Sequence, residues 1–292
     1  MPWLQLKLDS PPEQAEQLSD LLTDLGACAV TFEDGADQPL FEPDPGETKL
    51  WNKTRIIGLF DTKSDMSDII EQLKQALGAA APAQFHINPL EDKNWERAWM
   101  DNFKPIRFGQ NLWICPSWHT PEDVNAVNVM LDPGLAFGTG SHPTTALCLE
   151  WLDNHPPEGL EVIDYGCGSG ILAIAAALLG AKQVDAVDHD PQAILATVDN
   201  ARKNGVEKKI NALLPSQFQN KPVDLVLANI LANPLLELAP HFADLIKSGG
   251  QIVLSGILTE QTDQILQRYS EWFDLQPATQ QQKWVRIDGK RR

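Results

Sequence analysis

Three glycines occupy alternate positions in the stretch "VIDYGCGSGILAIAA": Gly166, Gly168 and Gly170, with Asp164 two residues ahead of the first. A strand-like apolar run enters this turn and a helix-like apolar run leaves it. Glycine there lets the backbone bend tightly and lets a ligand approach without a Cβ in the way. The helix start adds unpaired N–H groups. In the dinucleotide fingerprint G-x-G-x-x-G the third glycine would fall on Ile171, which this chain does not offer. A carboxylate at Asp164 repels a pyrophosphate but accepts hydrogen bonds from an ammonium group. Alone, the motif favours a ligand over a purely structural tight turn, which stays open as the lesser reading. About twenty residues on, Asp188 closes the next apolar run, where an acid grips ribose hydroxyls in such folds. Together the two motifs point to an adenosine-containing cofactor that carries an ammonium group, which S-adenosylmethionine does.

Two further stretches carry chemistry. "VDLVLANI" ends on Asn229, whose side-chain amide can accept from an amine and orient its lone pair. Asn233-Pro234 just beyond it has the chemistry of a helix start, with Asn233 as cap. "LDPGLAFGTGSHPTTALCLEWL" combines Gly134, Gly138 and Gly140 with Phe137 at its centre, a mobile loop able to close over a cofactor and exclude water. Thr144 and Thr145 then open a helix. His142 has the chemistry of a base, but a histidine beside a proline in a loop also serves structure alone. The catalytic candidates are Asn229, for amine orientation, and Phe137, over the methyl site.

The elements that must position these residues follow from periodicity. Residues 1–92 read as strand "WLQLKL", a helix in "SPPEQAEQLSDLLTDLG" with Ser10 as cap, strands "ACAVTFED" and "TRIIGLFD", helix "DMSDIIEQLKQALG" and strand "AQFHINPL". That β-α-β-β-α-β order is the ferredoxin-like arrangement, and nothing in it looks catalytic. Residues 93–127 form a connector. In it Trp95 and Trp99 lie one helical turn apart and pack on a neighbour, and "IRFGQNLWICPSW" forms a hairpin turning at Gly109 to Asn111. From 128 to 292 strands and helices alternate: "LEVIDYG", "QVDAVDHD", "INALLP", "VDLVLANI" and "GQIVLSGIL" are strands. Asp190-Pro191 starts the helix "PQAILATVDNARKNG". Two late strands, "DLQPATQ" and "KWVRID", have no helix between them, which makes the last one antiparallel. The fold class is α/β, a parallel sheet covered on both faces.

Composition is that of a soluble globular protein: 43% hydrophobic and 22% charged residues over 292 positions. No apolar run reaches the ~18 residues of a membrane span, and the N-terminus lacks a secretory pattern. Cys28, Cys115, Cys148 and Cys167 form no C-x-x-C pair and read as reduced thiols of a cytoplasmic protein. The net charge of −17 disfavours nucleic-acid backbone and suits a basic partner, though solubility alone also explains it.

"DYGCGSG" with Asp188 resembles the seven-stranded, Rossmann-like methyltransferases that use S-adenosylmethionine. "NVMLDPGLAFGTGSHPTT" and "ANILANPL" narrow the likeness to the bacterial ribosomal protein L-eleven methyltransferases, with "PWLQLKL" and "WICPSW" extending it over the chain. The resemblance implies methylation of the N-terminal α-amine and lysine ε-amines of that basic ribosomal protein, by a monomer whose N-terminal domain holds the substrate. No nucleic-acid contact is required of it. Carried over by position, Thr145, Gly166, Asp188 and Asn229 are cofactor contacts, beside Asp164, Gly168 and Gly170. Ser141 departs from the pattern, where threonine is expected, and keeps a hydroxyl. The alternative is a methyltransferase for a nucleic-acid base or a small amine. The base-modifying motif, however, places an aromatic residue where this chain has Ile230, Leu231 and Ala232.

Overall fold

A computed structural model of the chain describes residues 3–36, 50–78, 81–82, 84–90, 104–132 and 142–292. The chain divides into two compact units, Met1–Met100 and Asp101–Arg292.

The first unit runs β1 (Trp3–Ser10), α1 (Ala15–Asp24), β2 (Ala29–Asp34), β3 (Thr54–Asp61), α2 (Met66–Leu77) and β4 (His86–Leu90). Its sheet has the order β2-β3-β1-β4, with every pair antiparallel. The alternation in β1 turns Leu6 and Leu8 into a core shared with Leu18 and Leu22 of α1 and Ile69 and Leu73 of α2. Asp65 caps α2 by accepting from Ser67 N at 3.0 Å. Ser10 does not cap α1, contrary to expectation. It ends β1, and a 3-10 turn over Pro12–Gln14 precedes the helix. Pro12 has no N–H to give a cap at that position. Trp95 and Trp99 lie outside the described residues.

In the second unit β5 (Ile106–Phe108), β6 (Leu112–Cys115) and β7 (Val127–Met130) form a small sheet, β5-β6 antiparallel and β6-β7 parallel. The β5-β6 hairpin turns at 109–111. There Asp153, on the helix α3 (Pro143–Asn154), accepts from Gln110 N at 2.6 Å and Asn111 N at 3.1 Å. Phe108, Leu112 and Ile114 thereby join the same core as α3.

The main sheet contains β8 (Glu161–Tyr165), β9 (Gln183–Val187), β10 (Ile210–Leu213), β11 (Val223–Asn229), β12 (Ile246–Leu258), β13 (Phe273–Leu275), β14 (Thr279–Gln281) and β15 (Trp284–Arg291). Its order is β10-β9-β8-β11-β12-β15-β13, with β14 paired to β15. The first five strands are parallel, and β15 runs antiparallel to its neighbours. The helices are α3, α4 (Ile171–Leu178), α5 (Pro191–Lys203), α6 (Ala232–Leu245) and α7 (Thr262–Tyr269). Alternate side chains of the central strands serve opposite faces. Leu225, Leu227 and Val253 pack with α3 and α4, whereas Val226, Ala228, Ile252 and Leu254 pack with α6 and α7.

Two further expectations are corrected. "DLQPATQ" is not one strand but two, β13 and β14, separated at 276–278, because Pro277 cannot donate to a ladder. Asn233 does not cap α6: the cap position is Leu231 and Asn233 is already helical. Pro234 is tolerated one residue later because first-turn N–H groups lack helical partners anyway. Among the described residues, no helix is long and apolar enough to cross a membrane.

Candidate active site

Strand order reverses at β8, which has β9 on one side and β11 on the other. Such a switch point opens a crevice beyond the carboxyl ends of the strands. The glycine turn after β8, Asp188 after β9 and Asn229 at the end of β11 all lie there.

The turn is tightly held. Gly166, Gly168 and Gly170 take φ of +79°, +53° and +79°, conformations that side chains disfavour. Val187 O accepts from Gly166 N at 2.7 Å and Cys167 N at 3.1 Å. Asp188 Oδ2 accepts from Gly168 N at 2.9 Å and its Oδ1 from Asp190 N at 3.0 Å. The expected helix cap is indeed a separate residue, since Asp190 accepts from Gln192 N at 2.8 Å. A carboxylate pair of oxygens has about four acceptor positions, so Asp188 can hold the turn and still receive hydroxyl groups.

Asp164 is 1% exposed and its Oδ2 accepts from Ala173 N at 2.9 Å. Gly170, at the cap position of α4, has no side chain to do this; Asp164 caps the helix from the neighbouring strand, at its positive end. Burial pushes its carboxyl up to about 7; the Ala173 bond opposes this and the nearby Asp188 charge adds to it. An unfolded aspartate titrates near ~3.9. The folded chain therefore keeps this proton to higher pH than the unfolded one. The contribution of Asp164 to stability falls as pH rises from about 4 to about 7 and is level above. Asp164→Asn, which retains an acceptor for Ala173 N, is expected to stabilise the chain at pH 8 by on the order of 2–4 kcal/mol and by almost nothing at pH 4. Urea unfolding at the two pH values checks this, and an equal change at both would refute it.

Asn229 and Thr145, 84 residues apart, are brought together: Asn229 Nδ2 donates to Thr145 Oγ1 at 3.2 Å. Thr145 is buried on α3. The bond fixes the amide plane and gives the accepting role to Oδ1. His142 caps α3, with Nδ1 at 2.8 Å from Thr144 Oγ1 and 3.4 Å from Thr144 N, and its ring meets Trp284 edge-on at 4.9 Å. Burial lowers its pKa, which keeps the ring neutral and able to accept. Its place is therefore structural. Cys167 is also inert: it is buried, 3.4 Å from Thr197 Oγ1, and burial raises its thiol far above the ordinary range. Phe137, with Gly134, Gly138, Gly140 and Ser141, lies outside the described residues.

Three side chains at the turn escaped the sequence reading: Ile230, against which Gly166 packs, and Thr197 and Asn200 of α5, which bond to the turn. The side chains gathered here are two acids and several neutral groups. Among the described residues, this set offers acceptors for ammonium and hydroxyl groups and no cation to neutralise a pyrophosphate. It fits a nucleoside carrying an amino acid.

A seven-stranded order with one reversed strand, and a glycine turn at the switch point, define a Rossmann-like methyltransferase. Proteins of this class draw the methyl group from S-adenosylmethionine. The chain belongs to the family described as "Ribosomal protein L11 methyltransferase (PrmA)", whose sequence model matches residues 2–292. It is 54% identical to the ribosomal protein L11 methyltransferase of Serratia proteamaculans, over 100% of both chains. It is 51% identical to that of Marinobacter nauticus, over 100% of this chain and 99% of the other. A crystal structure of a ribosomal protein L11 methylase from Lactobacillus delbrueckii subsp. bulgaricus superposes with a TM-score of 0.60 at 34% identity, covering 65% of this chain and 99% of that one.

Proposed function

We propose that this chain methylates amines of ribosomal protein L11, the N-terminal α-amine and lysine ε-amines, as a cytoplasmic monomer. The observation that carries the reading is the Asn229–Thr145 pair at the mouth of the glycine turn, in a chain similar to L11 methyltransferases from end to end. S-adenosylmethionine, when bound, supplies an electrophilic methyl group on sulfur. Asp188 would receive the ribose hydroxyls, and the glycine turn at Gly166, Gly168 and Gly170 would hold the nucleoside beside it. Asp164, buried and raised to about 7, would bear on an ammonium group only through the helix start it caps, and Thr145 holds Asn229. The Asn229 Oδ1 accepts from the attacking amine and aims its lone pair. The amine must shed a proton first; lysine titrates near ~10.4 and an α-amine near ~8. A dry site beside a positive charge lowers both. Orientation and desolvation supply the remainder, so no side-chain base is required.

Charge distribution supports a substrate role for the first unit. Residues 1–100 carry 18 acidic and 8 basic side chains, a balance of −10 out of the chain's −17. An acidic unit attracts a basic protein and speeds the encounter. A chain lacking residues 1–92 is expected to bind S-adenosylmethionine in calorimetry but to lose transfer to L11; undiminished transfer would refute that division of labour. The function itself is tested by incubating the full chain and methyl-labelled cofactor with L11 and with ribosomal RNA. Label in the protein is expected, and label in RNA alone would overturn the reading.

A further inference from the structure

The buried face of α5 carries polar side chains where apolar ones would ordinarily pack. Thr197 is 0% exposed and Asn200 is 8% exposed, on the same face as the buried Ala193 and Ala201. Buried polar groups persist only with partners, and here the partners are backbone carbonyls of the glycine turn. Thr197 Oγ1 donates to Gly168 O at 3.2 Å, and Asn200 Nδ2 donates to Ser169 O at 2.9 Å. Asn204, the C-cap, continues the face (i, i+3, i+7) but makes no bond to the turn. It donates from Nδ2 to Met130 O and to the main-chain Asn200 O, each at 2.8 Å, and accepts from Met130 N at 2.7 Å, on β7.

The two turn bonds act on the peptide groups that follow Gly168 and Ser169. With glycines on both sides, those peptides have more than one accessible orientation. Gly168 N, on the peptide just before these two, points at Asp188 Oδ2 in the same turn conformation. Contact is close on this side: a Cβ on Gly170 would come within 2.8 Å of Thr197 Oγ1. A turn fixed before the ligand arrives loses less freedom on binding.

We propose that Thr197 and Asn200 are positioning residues for cofactor binding, acting through the Gly168–Gly170 peptides and Asp188, while Asn204 on the same helix face only braces the fold. The proposal rests on the reading that S-adenosylmethionine binds at this turn. Thr197→Val removes the hydroxyl at nearly constant volume, and Asn200→Ser withdraws the amide. Each is expected to raise the dissociation constant for S-adenosylmethionine about tenfold, with a matching rise in its KM. The kcat at saturation and the KM for L11 should stay within about twofold. Thr197→Ser keeps the hydroxyl and should restore affinity. Asn204→Ala is the structural comparison: it should lower Tm without changing affinity. Calorimetry on the full-length chains reads the outcome, and Asn200→Ser carries the comparison should Thr197→Val not fold. If the unaltered chain binds and both turn variants bind equally well, losing only Tm as Asn204→Ala does, the positioning role is overturned. If the unaltered chain itself does not bind, the functional reading falls and the positioning role falls with it.

Discussion

Asp188→Ala is expected to weaken S-adenosylmethionine binding by about a hundredfold or more. Hydrogen bonds to a charged group contribute about 1.5–3 kcal/mol each, and a carboxylate at this position can receive both ribose hydroxyls. About 1.4 kcal/mol corresponds to a factor of ten, so losing two such bonds suffices. The variant also releases Gly168 N and Asp190 N, which Asp188 holds at 2.9 and 3.0 Å. Asp188→Asn separates the two effects. It preserves the shape and one acceptor but not the charge, and is expected to fall between the parent and the alanine variant. Calorimetry with the three chains decides, with thermal unfolding as a check on integrity. Affinity in Asp188→Ala equal to that of the parent would remove Asp188 from the site.

The second unit was legible to the degree that its information is local. Apolar strands alternate with helices whose starts are marked by Asp190-Pro191 and Thr144-Thr145, and both helices begin there. The glycine turn and Asp188 were legible because backbone geometry confines them to glycine and to an acid at a strand end. What failed locally failed at two caps: Pro12 lacks the N–H that Ser10 would have received, and the helix assigned to Asn233 begins ahead of it, at Ala232. What stayed hidden is long-range. Thr197 and Asn200 resemble the polar residues of any amphipathic helix. Only their place on the face that buries Ala193 and Ala201 distinguishes them. Asp164 invited an ammonium role, yet its bond to Ala173 depends on how α4 packs over β8 and has no signature in spacing.

Gly256 left a signal that went unused, an isolated glycine within the strand "GQIVLSGIL". The register explains it. Leu254 pairs with Ile287 and Ile257 with Val285, so Ser255 and Gly256 together face the single residue Arg286. This is a bulge, which bends β12 at its site end. Gly256 has φ of +85°, and a Cβ there would stand 2.1 Å from Ile230 O and 2.7 Å from Ile230 C. Those are main-chain atoms, which cannot rotate aside as a side chain would. From the opposite side a Cβ on Gly166 would meet Ile230 Cγ2 at 2.2 Å. Ile230, the residue after Asn229, thus sits between two positions without a Cβ. Gly256→Ala adds left-handed strain of about 1–3 kcal/mol to overpacking of similar size, a loss of about 2–6 kcal/mol. At roughly 2–4 °C per kcal/mol for a unit of this size, Tm should fall by about 10 °C. Gly205→Ala is the control: φ is +66° and no atom lies within 4 Å. It should therefore cost only the left-handed strain, about 1–2 kcal/mol. The activities should separate as well. The new Cβ collides with the main chain of Ile230, next to Asn229, and a shift of about 1 Å at a positioning group lowers rate about a hundredfold. Methyl transfer in Gly256→Ala should therefore fall far more than cofactor affinity, whereas Gly205→Ala should alter neither. Equal melting and equal turnover in the two variants would show that Ile230 yields freely and that its confinement does not hold Asn229 in place.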